Sequence, residues 1–213
     1  MPLRLYGENH RVNPFDDQRE FSGKTFKNLS LAGVEISGRE FDRCTFTKCD
    51  FHEAKLAECR LRECTFIDCE INGLRLPGCS LSEVEFDDCR MVGVNWTETT
   101  WAKGRFLVPV GFIKCVINHS LFIGLDMHEC EIKGCTAREV DFSEADLTRA
   151  NCAATDYQGA RFWHTDLTEA DFRGATNYAI DANINTLKRT RFALPEAMAL
   201  LYSLDIILDD VDH

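Results

Sequence analysis

Along most of this chain a large apolar residue returns at every fifth position. From Phe41 to Phe106 the run is unbroken, through Phe46, Phe51, Leu56, Leu61, Phe66, Ile71, Leu76, Leu81, Phe86, Met91, Trp96 and Trp101. Traced backwards, the same register takes in Ile36, Leu31, Phe26 and Phe21. A period of five is neither the helical 3.6 nor the strand period of 2. A helix would smear these residues around its circumference, and a plain strand would point them to alternate faces. A fixed short period belongs instead to a stacked repeat, in which each unit buries its apolar side only against its neighbours. After Phe106 the next centre is Phe112, which reads as a one-residue slip at 107–111, where Pro109 and Gly111 suit an interrupted ladder. The period then holds from Phe112 to Phe172 and recovers at Leu187 and Phe192.

Two residues before each centre stands a slim residue, among them Cys44, Cys49, Ala54, Cys59, Cys64, Cys69, Cys79, Val84, Cys89 and Val94. On extended backbone, positions two apart share a face, so both residues point inward and the other three of each five point outward. Four fives then close a square coil, and residues twenty apart stack. That arithmetic places Phe26, Phe46, Phe66, Phe86 and Phe106 in one column. The pattern resembles the pentapeptide-repeat family over about residues 21–192. Ala145-Asp146-Leu147-Thr148-Arg149 and Ala170-Asp171-Phe172-Arg173-Gly174 carry the family's Ala/Cys, Asp/Asn, Leu/Phe, x, x motif. The resemblance implies an all-β, right-handed quadrilateral β-helix. Residues 1–20 break the period and read as a lead-in and cap. In 193–213, Pro195 and Glu196 open a short helix with an apolar stripe of Leu194, Ala197, Met198, Leu201 and Leu204, followed by a strand-like run that includes Ile206.

The net charge of −11 disfavours direct binding to nucleic acid and points to a protein partner with a basic surface. No apolar run is long enough for a signal peptide or a membrane span. Of the eleven cysteines, ten fall at the slim inward position and Cys152 at a centre, so they read as reduced, packed thiols without metal. Together these features place the expected home of the protein in the cytoplasm. No nucleophile–base pair, phosphate loop or zinc motif accompanies the six histidines, and the expectation is a non-enzyme without cofactors.

The outward acids carry the remaining functional signal. Asp126, Asp146 and Asp166 recur at twenty-residue intervals just before a centre, with Glu129 and Glu169 three residues further on. On a one-residue slip they share the phenylalanine face with Asp68, Glu85, Asp87 and Asp88. A rod of stacked carboxylates can imitate the charge of a DNA duplex, but Asp before the centre also belongs to the repeat's own pattern and can satisfy turn backbone. The tail is similar to that of the quinolone-resistance branch of the family. That resemblance implies binding to a type II topoisomerase (DNA gyrase or topoisomerase IV), protection from quinolone-type poisons, and a homodimer joined through Leu194, Ala197, Met198, Leu201, Leu204 and Ile206. Some members of that branch carry two sizeable loops in the helix, for which the slip offers no counterpart. The alternative is a cytoplasmic interaction scaffold or regulator unrelated to gyrase.

Overall fold

The computed structural model describes residues 14, 15, 17–101, 110–204 and 206. The chain winds into a right-handed quadrilateral β-helix whose four faces are built from short parallel strands and bridges, each residue paired with its counterpart one coil on. On the first face the strands Glu20–Ser22, Glu40–Asp42, Arg60–Arg62, Ser80–Ser82 and Thr100–Trp101 stack in that order. The second face stacks Thr25–Lys27, Thr45–Thr47, Thr65–Ile67, Glu85–Asp87, Gly111–Ile113 and Ile132–Lys133. Parallel bridges continue the third face through Asp50, Glu70, Arg90, Val116, Thr136 and Asp156, and the fourth through Asn95, Leu121, Asp141 and Arg161.

The centres and slim residues fill the tube. Phe46, Ile71, Met91, Trp96, Phe112, Phe142 and Leu167 are buried, as are all eleven free thiols. On the second face Phe46 stacks on Phe66 with ring centroids 4.7 Å apart, Phe66 on Phe86 at 4.9 Å and Phe86 on Phe112 at 5.5 Å. Such offset stacking adds to simple burial. Beneath the first coil, Phe15 packs edge-on against Phe21, Phe26 and Phe41, so an aromatic from the lead-in closes that end.

Each side of the square ends at the residue two positions after a centre, where the backbone turns through the left-handed region. Charged residues occupy these corners as readily as glycine: φ is 51° at Glu63, 57° at Glu129, 58° at Arg149 and 60° at Glu169. For an L-residue this conformation costs about 1–2 kcal/mol. The corner N–H groups offset it by continuing the ladder, as where Glu129 N donates to Thr148 O at 2.8 Å.

The column departs from the period at one point. Phe86 pairs with Phe112, and Phe106 lies outside the described residues. Likewise Cys89 N donates to the sulfur of Cys115, 26 positions away, where other rungs of that ladder span 20. The expected one-residue slip is therefore a lengthening by six residues of the segment between Trp101 and Phe112, and within that segment 102–109 lie outside the described residues. Periodicity misplaces it because Phe106 happens to stand five residues after Trp101, mimicking a centre. Past the insertion Phe112 holds the second face, so Met127, Leu147 and Leu167 fall on the first. The C-terminal segment forms a 3₁₀ helix, Glu196–Ser203, none of whose residues is fully buried.

Candidate functional site

The outward acids separate into two groups. Asp126, Asp146 and Asp166 do stack, joined by parallel bridges. With six residues inserted upstream, however, they stand on the first face and not on the phenylalanine face. Glu85 and Asp87 remain on the second face, with Asp68 and Asp88 at its corner. The expected single acidic face is thus two neighbouring half-faces. Arg60 and Arg62 lie on the same first face as the Asp126 ladder, nearer the N-terminus, where Arg60 pairs with Glu40 at 3.2 Å and Arg62 with Asp42.

The ladder aspartates are half-buried, not fully exposed. Asp146 Oδ1 accepts from the backbone N–H of Thr148 at 2.9 Å, and Asp166 Oδ1 from that of Thr168 at 2.9 Å. Asp126 Oδ1 lies 2.6 Å from His128 Nδ1. Asp141, Asp156 and Asp171 close the same turn on other faces. Asp before a centre is therefore selected locally, because its carboxylate caps the N–H two residues ahead. Each of Asp146 and Asp166 keeps a second carboxylate oxygen beyond that cap, and no ion pair neutralises either of them among the described residues.

The neighbouring corner differs. There Glu129, Arg149, Glu169 and Arg189 alternate in charge, with Glu129–Arg149 at 2.7 Å and Glu169–Arg189 at 3.6 Å. Glu129 and Glu169 are thus paired across coils and add little net charge. Similar compensation holds Asp171 low, through the Arg173 guanidinium bound to both its oxygens. At Asp156 partial burial raises the pKa, but hydrogen bonds from Asn177 and Arg138 outweigh it and the net shift is downward.

At the C-terminal end, Leu194, Met198, Leu204 and Ile206 are exposed, Leu194 by 77 %, while Ala197 and Leu201 are half-buried. Sequence reasoning missed Tyr202, exposed by 81 % beside them, and the outward apolar residues Leu121, Ile123 and Trp163. The signal for these three was available, since a large apolar residue next to a centre breaks the polar-outward rule of the repeat. No group of three or more His, Cys, Asp or Glu suited to a metal ion occurs among the described residues. None of the helices described is long and apolar enough to cross a membrane.

A square coil with slim and bulky inward residues alternating defines a β-solenoid of stacked five-residue units. The chain belongs to the pentapeptide-repeat family: residues 39–108 match the pentapeptide repeat region model, and 126–156 and 145–176 match the model for eight pentapeptide repeats. Among solved structures it is similar to a trypsin-treated variant of QnrB1, a plasmid-mediated fluoroquinolone resistance protein. That match has 15 % identity and a TM-score of 0.59, covering 87 % of this chain and all of the other. HetL, a pentapeptide-repeat protein involved in heterocyst differentiation regulation in the cyanobacterium Nostoc sp. strain PCC 7120, matches with 17 % identity and a TM-score of 0.43, covering 81 % of this chain and 86 % of HetL. No curated protein matches the chain in sequence.

Proposed function

We propose that this chain is a non-enzymatic protein-binding rod whose first face, in its C-terminal half, occupies a basic surface that otherwise holds DNA, with a type II topoisomerase as the partner. The observation that carries this reading is the in-register stack of Asp126, Asp146 and Asp166. It offers one carboxylate per coil, about 4.8 Å apart, against one phosphate per 3.4 Å of axis along a DNA strand. The similarity to QnrB1 supports the choice of topoisomerase, and protection from quinolone-type drugs comes with it as part of the same proposal.

The test is a binding and supercoiling titration with purified gyrase. Changing Asp126, Asp146 and Asp166 together to Asn keeps an acceptor for each turn N–H and removes three charges. We expect at least tenfold weaker, less salt-sensitive binding, mainly through a slower on-rate. The control, Asp68, Asp87 and Asp88 to Asn, removes as many charges from the second face and should leave binding unchanged. Equal loss in both triples would reject the first face as the mimic, and no gyrase binding by the native chain would reject the partner. A scaffold for an unrelated protein is the second reading, favoured by the alternating Glu129–Arg149–Glu169–Arg189 corner, which dilutes the acidic face.

A further inference from the structure

Large apolar residues stand at a few outward positions, and those on the fourth face, on coils that lie two apart, are exposed where Ile67, Val92, Ile113 and Val116 on other faces are half-buried. Leu121 and Ile123 flank the buried Phe122 and are 37 % and 40 % exposed; Trp163 flanks the buried Phe162 and is 45 % exposed. The ladder bonds Gly124 N to Ser143 O and Glu144 N to Trp163 O bring Ile123, Ser143 and Trp163 into one column. The small Ser143 stands between these two large side chains; it is buried, and its Oγ has no hydrogen-bond partner. The same coil carries Asp141 on the face and the exposed Glu144 at the corner. The guanidinium of Arg161 lies 5.7 Å from the centroid of the Trp163 ring, so this indole already accommodates a cation.

We propose that this patch is the anchoring point for the protein partner, and that it takes an aliphatic side chain flanked by lysine or arginine. The aliphatic group seats above Ser143 between Ile123 and Trp163, and the flanking cations meet Asp141 and Glu144. Trp and its apolar neighbours supply the water-excluded centre that dominates interface energetics, and charges at the rim supply orientation. This inference rests on the reading of the chain as a protein-binding rod with a basic partner, and it adds an apolar anchor on the face adjoining the Asp126 ladder.

The experiment uses the full chain and two labelled helical peptides, one with leucines flanked by lysines and one with serines in place of the leucines. Fluorescence anisotropy reads the affinity. The leucine peptide should bind at least tenfold more tightly than the serine peptide, Trp163→Ala should remove that advantage, and Trp163→Phe should restore part of it. Circular dichroism and thermal melting confirm that the variants stay folded. Equal binding of both peptides, abolished by the Asp126/Asp146/Asp166 triple, would overturn the patch while leaving the acidic-face reading intact. Binding of neither peptide would also overturn the patch, and the gyrase titration then decides the acidic face separately. A native self-association that is lost in Trp163→Ala but retained when Leu194 and Met198 become Glu would assign the patch to a second copy and overturn the basic partner.

Discussion

At the scale of single residues the thiols have the most measurable chemistry. Cys49, Cys69, Cys89, Cys115 and Cys135 stack as rungs, each of the first four donating its backbone N–H to the sulfur of the next at 3.4 Å. Burial pushes Cys64, Cys135 and Cys152 up to about 12 from an ordinary value of 9.0, and the hydrogen bond with Cys115, with burial behind it, does the same for Cys89. The folded chain holds these protons where the unfolded chain releases them, so the unfolded state binds fewer protons above pH 9. Stability is therefore full below about pH 9 and falls as pH rises toward 12, by up to about 1.4 kcal/mol per pH unit for each such thiol. Urea melts at pH 7, 9 and 10.5 should show that decline. A flat profile would mean that the thiols ionise freely in the fold. In the native state at pH 8 an alkylating reagent should leave the thiols unmodified, and after denaturation all eleven should react.

At the scale of elements, the phenylalanine column and the tail behave oppositely. Phe86 stacks on Phe66 and Phe112 and meets Trp96 edge-on at 5.5 Å. Phe86→Ala should cost about 3–5 kcal/mol by leaving a cavity that neighbouring coils cannot close, read as a lower urea midpoint. Phe112→Ala should cost a similar amount, because Phe112 stacks on Phe86 and continues the column across the insertion. A far smaller loss at Phe112 would contradict that pairing. The tail, in contrast, leaves Leu194, Met198 and Tyr202 open to water at one end of the solenoid. A second copy meeting this end by a two-fold axis would bury them. Leu194→Glu with Met198→Glu should then convert dimers to monomers in sedimentation with the melting curve of the solenoid retained. A native chain that sediments as a monomer at micromolar concentration would remove the dimer from the proposal.

At the scale of the whole molecule, the period of five made the fold, the buried centres and the packed cysteines legible, because one repeated spacing dictates which side chains point inward. The assignment of faces was not, because it depends on counting residues through 102–111. Only the backbone pairing of Phe86 with Phe112 shows that this step spans 26 residues and not 20. A single miscount moved Asp126, Asp146 and Asp166 to the adjacent face. The half-burial of these aspartates was equally hidden, since a carboxylate folded back onto Thr148 or Thr168 N–H reads in sequence like one reaching into solvent.

The pairing distance has a mechanical consequence. The described rungs pair with rungs 20 residues away, and with one 26 residues away at the insertion. Pulled by its two ends, such a chain has no single shear plane on which the load is shared. It peels from a terminus, and each coil released adds a fixed length of contour: about 70 Å for a regular coil at roughly 3.3–3.6 Å per residue, and about 90 Å where the insertion lies. The coil from Phe86 to Phe112 therefore marks its own position along the rod as the one long step in an otherwise even staircase.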